Sequence, residues 1–90
     1  MQETLKIILM NLLSKRYIGG KHTPEDKLII HKTKWLKTVE RKEFEREYKE
    51  LINQEIILRL KKRTGKGGDW HISINPRKLR DVYDLVYEGE

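Results

Sequence analysis

Ninety residues make one small domain, near the low end of what folds around a single core. The chain carries 20 Lys and Arg against 14 Asp and Glu, a net charge of +6, which favours nucleic acid or another anionic surface as partner. It has no cysteine, so disulfides and thiolate metal sites are excluded.

Residues 1–16 are apolar but interrupted by Lys6 and Asn11. With no charged leader, clean apolar run or small-residue cleavage site, they predict neither signal peptide nor membrane span. A cytoplasmic protein with no membrane partner is expected, and its richness in Lys, Glu and Ile suits a thermophile. Leu5, Ile8, Leu9, Leu12 and Leu13 recur at helical spacing, predicting a helix over residues 3–16. The paired glycines of "YIGGK" are expected to end it, because glycine tolerates the left-handed conformation. Thr23 then reads as an N-cap, Pro24 as the first helical residue and Asp26 as a capping-box acid, for a short helix over residues 24–31. In "HKTKWLKT", Trp35 and Leu36 are expected to plug the core.

A third helix is expected over residues 39–54, with Phe44, Tyr48, Leu51 and Ile52 on its buried face. The period then changes to two. Ile56, Leu58 and Leu60 alternate with Ile57, Arg59 and Lys61, and Trp70, Ile72 and Ile74 alternate with His71, Ser73 and Asn75. These predict a hairpin over residues 56–75 that turns Leu58, Leu60, Trp70 and Ile72 to the helices. Asn75 and Pro76 stop the strand, and a last helix over residues 76–88 carries Leu79, Val82, Tyr83 and Val86, with Tyr83 and Val86 in the core.

The order helix, helix, helix, strand, basic hairpin, strand, helix resembles a winged helix-turn-helix domain over nearly the whole of residues 1–90. "ELINQEIILRLKKRTG" looks like the passage from recognition helix to wing, and "HISINPRKLRDVYDLV" is similar to the end of small archaeal winged-helix proteins of unknown role. The resemblance implies a mainly helical α+β fold, with the third helix in the major groove and the wing on the DNA backbone. The segment between the second and third helices departs from it, being longer and more basic than a tight turn.

The stretch "KKRTGKGGDWH" is not a nucleotide loop. Its glycines lead into a strand rather than a helix N-terminus, and Gly65–Lys66 is followed by Gly67 instead of Ser or Thr. The glycines are expected to serve a hairpin turn. The alternation predicts Arg59, Lys61 and Arg63 on one strand face, Lys62 on the other and Lys66 at the tip. They read as a phosphate-gripping wing, or as a charged strand that resists edge pairing. On the third helix, Phe44, Tyr48 and Leu51 set the buried direction, and Lys42, Arg46, Lys49 and Asn53 fall nearly opposite. These residue types pair with base edges and phosphates; the alternative is a solvated face laced with pairs such as Glu45–Lys49.

His22, His31 and His71 have no cysteine or HExxH partner, so no metal site is expected. Ser14 and Ser73 lack a base and an oxyanion context, and Glu25 and Asp26 read as first-turn helix acids. No enzyme and no cofactor are expected. Leu85, Tyr87 and the spare apolar face of the first helix would either cap the monomer or form a homodimer. The resulting expectation is a double-stranded-DNA-binding transcriptional regulator using Lys42, Arg46, Lys49, Asn53, Arg59, Lys61, Arg63 and Lys66. The second possibility is a protein-interaction scaffold in a transcription or replication assembly.

Overall fold

Leu5, Ile8, Leu9 and Leu12 share one stripe at helical spacing, and all four are buried. At about 1.5–3 kcal/mol for each side chain removed from water, that stripe makes α1 (Glu3–Ser14) the central element. The computed structural model describes residues 1–62 and 69–87. Within them follow β1 (Thr23–Pro24), α2 (Glu25–Thr33), α3 (Thr38–Asn53), β2 (Ile57–Lys62), β3 (Asp69–Ile74), a 3-10 turn (Pro76–Lys78) and α4 (Leu79–Tyr87). The fold is α+β: four helices and one three-stranded antiparallel sheet of order β1-β3-β2. Phe44 and Leu51 of α3, Ile56 just after it, Ile57 of β2, Ile72 and Ile74 of β3, and Val82 and Val86 of α4 complete the core. Tyr83 instead stands exposed and stacks on Tyr87, because α4 turns its valines inward.

Two helices close in the same way. After α1, the Tyr17 N–H bonds the Leu12 carbonyl at 2.9 Å and the Arg16 N–H bonds the Leu13 carbonyl at 3.1 Å. After α3, Ile56 reaches Leu51 at 2.9 Å and Glu55 reaches Ile52 at 3.0 Å. This paired closure needs a left-handed residue, and Arg16 (φ +57°) and Glu55 (φ +59°) supply it. The glycine pair does not end α1. Gly19 (φ +61°) instead turns the chain alongside β3, donating its N–H to the Ile74 carbonyl at 2.9 Å and accepting the Ser73 hydroxyl at 2.9 Å.

Thr23 and Pro24 do not open α2 as cap and first residue. They pair with Ile72 and His71 as β1, and Pro24 caps α2 without a side-chain bond. In the hairpin, Ile57 faces Ile74, Arg59 faces Ile72 and Lys61 faces Trp70, so these six share a sheet face. Leu58, Leu60 and Lys62 lie on the other, opposite Ser73, His71 and Asp69. The expected inward set is therefore inverted in β2. Ile56 belongs to the closure of α3, Ile57 is the first inward strand residue, and Leu60 is 43 % exposed. Trp35 does not plug the core either: it is 81 % exposed, while Leu36 packs against the core.

Candidate nucleic-acid interface

The inward face of α3 fixes its outward one. With Phe44 and Leu51 buried and Tyr48 packed beside them, Lys42, Arg46, Lys49 and Asn53 are all exposed. Among the described residues the side chain of none of the four makes a hydrogen bond or ion pair, so the Glu45–Lys49 pair is not formed. Val39, 77 % exposed, heads the same stripe one turn before Lys42. Glu47 accepts the Gln2 N–H at 2.8 Å, joining α3 to the start of α1.

The corner between α2 and α3 is closely tied. The Leu36 N–H bonds the Thr33 carbonyl at 3.0 Å, and the Arg41 guanidinium reaches the same oxygen at 2.9 Å. Trp35 projects from this corner with the Lys34 ammonium 5.2 Å from its ring centroid. Lys34 and Lys37, close to it in the chain, are exposed, as is Lys42 in the first turns of α3, and Lys32 is half-buried. The reading of "HKTKWLKT" as a core plug missed this group. The signal was present in the cations on both sides of the indole, at Lys34 and Lys37.

Arg59 is not a free cation. Its Nε and Nη2 each donate at 2.8 Å to the two oxygens of Glu25, and the Tyr48 hydroxyl donates to Glu25 Oε2 at 2.6 Å. The guanidinium also lies 4.1 Å from the centroid of Trp70. Burial alone would push the Glu25 carboxyl up, but the hydrogen bonds from Arg59 and Tyr48 and the charge of Arg59 outweigh it and hold it below its ordinary value. Tyr48 is shifted up, by burial first and by Glu25 second. Glu25 is thus a buried knot tying α2, α3 and β2 together, more than a first-turn acid. Arg59 leaves the set of residues available to a phosphate. Lys61 and Lys62 remain exposed on the hairpin, whereas Arg63 and Lys66 lie outside the described residues.

Between α3 and α4 opens a cleft of about 980 Å³. Leu5, Leu51 and Ile56 are in its lining with the acids Glu47, Glu50, Asp81 and Asp84 and the bases Arg46 and Lys78. The cleft therefore carries more acid than base, opposite in sign to the stripe. Ile7 and Met10 on α1 and Tyr83, Leu85 and Tyr87 on α4 are the exposed apolar side chains of the two terminal helices.

His22 and His71 meet through their Nδ1 atoms at 2.8 Å with rings perpendicular. Among the described residues no three His, Cys, Asp or Glu side chains form a group able to hold a metal ion, and no helix is long and apolar enough to cross a membrane. Comparison of the chain with protein-family models, curated proteins and solved structures returns no match.

Proposed function

We propose that this protein is a winged helix-turn-helix module that binds double-stranded DNA, with α3 in the major groove and the β2–β3 hairpin against the backbone, acting as a transcriptional regulator. The element order and a short β1 completing the sheet on the edge of β3 support the fold reading. The observation that carries the function is the exposed stripe of Lys42, Arg46, Lys49 and Asn53, none of them engaged within the described residues. Surface cations normally find glutamates at helical spacing, and α3 offers several. A stripe left without them is ready to meet phosphates and base edges at little desolvation cost. Val39 at its head suits a thymine methyl. A homodimer through the exposed apolar residues of α1 and α4 would present two such stripes to a two-fold site.

Arg46 is assigned the base-edge contact, and Lys42 and Lys49 the phosphates. Arg46→Ala is expected to weaken binding to a preferred duplex by about 1–3 kcal/mol and to relax its sequence preference. Selection from a randomised duplex pool measures both, with circular dichroism to confirm folding. If the wild-type protein selects no sequence and binds only at low salt, the major-groove role fails. The cleft between α3 and α4, where four acids outnumber Arg46 and Lys78, favours the second reading, a scaffold that docks a basic segment of another protein, and that reading would then take its place.

A further inference from the structure

We infer that Trp35 is a stacking platform for an unpaired base, so that the nucleic acid this protein takes carries single strand adjoining duplex. The inference rests on the DNA-binding reading of α3 and adds to it the class of DNA. Three observations carry it. The indole is 81 % exposed, more than any other large hydrophobic side chain among the described residues. Its exposure is not slack in the chain: Leu36 beside it packs on the core, and the Thr33 carbonyl holds both the Leu36 N–H and the Arg41 guanidinium. The chain around it is rich in cations: the Lys34 ammonium lies 5.2 Å from the ring centroid, Lys32 and Lys37 flank it in sequence, and Val39 and Lys42 lead into the α3 stripe, against the one carboxylate of Glu40 at the Lys37 N–H.

A flat aromatic ring on an anchored stretch of backbone, beside a lysine, combines the two features that bind single strands, a π-face for the base and positive charge for the backbone. The interior of an intact duplex presents edges and phosphates but no base face, so the indole gains nothing from it by stacking. An unpaired base beside the duplex presents its face freely. The Lys34 ammonium now 5.2 Å from the ring is placed to move onto the adjoining phosphate. The cations argue against a neutral protein surface as occupant. An anionic membrane shares their charge preference and is kept as an outcome of the test.

Trp35 and Trp70 are the two tryptophans, so Trp70→Phe leaves Trp35 as the only indole reporter. That variant is titrated with a blunt duplex and with the same duplex carrying a single-stranded overhang, following indole emission and the anisotropy of labelled DNA. Quenching by the overhang ligand alone is expected, together with an affinity about tenfold above the blunt duplex. Trp35→Ala in the wild-type background should abolish that advantage and leave blunt-duplex affinity unchanged, while Trp35→Phe should retain most of it. No advantage of the overhang, or an equal loss on both ligands, overturns the inference. So does quenching by anionic phospholipid vesicles without quenching by the overhang. If Arg46→Ala weakens the duplex while Trp35→Ala changes nothing, the stacking role alone falls. If neither ligand binds, the DNA reading falls with it.

Discussion

A carboxylate, a guanidinium and a phenol from three elements meet at Glu25, and none could be placed there by spacing along the chain. Glu25 is 7 % exposed and accepts three charge-assisted or short hydrogen bonds, so losing its charge strands Arg59 and Tyr48. Its carboxyl titrates below its ordinary value of 4.5 in the folded chain. The unfolded chain therefore binds the proton first, and the stabilisation, present in full above about pH 4.5, is lost as pH falls through the folded value. His71 adds a step at higher pH. Burial, the neighbouring charge of His22 and then that of Lys62 hold it below 6.5, against the opposing pull of Asp69. Its contribution is present above 6.5 and lost as pH falls through its own lowered value. Urea unfolding across pH should thus show two losses on acidification. Glu25→Gln should remove the lower one and cost about 2 kcal/mol at neutral pH. A variant as stable as the wild type at neutral pH would show that the knot contributes nothing.

At the scale of elements, the same local rule explains both what the sequence makes legible and what it hides. The apolar periods of residues 5–12 and 44–52 are long enough to define α1 and α3, and the period-two runs define β2 and β3. The phase of β2 is another matter. The alternation from Ile56 assumes that Ile56 is already strand, whereas Glu55 adopts the left-handed conformation and Ile56 closes α3. A one-residue slip turns every strand side chain to the other face, which is why Arg59 points at the helices and Leu60 at solvent. The two residues of β1 are too few to show a period at all. Of the candidate residues, the exposure of the α3 stripe was legible because it needs only the buried direction of one helix. Arg59 was not, because its partner lies 34 positions away. The closures themselves are testable. Arg16 and Glu55 adopt a backbone conformation that costs a residue with a Cβ about 1–2 kcal/mol. Arg16→Gly and Glu55→Gly are each expected to raise stability by about 1 kcal/mol, after the entropy of the freer unfolded chain is subtracted. Denaturant midpoints at constant m-value measure it, and a loss of stability in both would refute the closure geometry.

Over the whole molecule the net charge of +6 divides unevenly. Lys34, Lys37, Lys42, Arg46 and Lys49 run along the corner and outward face of α3, while Glu47, Glu50, Asp81 and Asp84 line the cleft toward α4. If the protein binds DNA as proposed, this distribution would help orient it toward the polyanion, an effect that weakens as salt screens it. It also divides the basic residues into two kinds that composition cannot distinguish. Lys49 is exposed and unengaged among the described residues, whereas the charge of Arg59 is already satisfied by Glu25. Each phosphate contact releases condensed counterions and contributes about −0.9 to the slope of log affinity against log salt. Lys49→Gln is therefore expected to make the slope shallower by about one, with affinity falling alike on every duplex. Arg59→Ala should destabilise the fold but leave the slope of the folded fraction unchanged, because its guanidinium is held by a carboxylate and an indole. Titrations of a labelled duplex at several salt concentrations, run well below the unfolding transition of each variant, give both slopes. An unchanged slope for Lys49→Gln with a shallower one for Arg59→Ala would move the DNA from the outward face of α3 to the sheet.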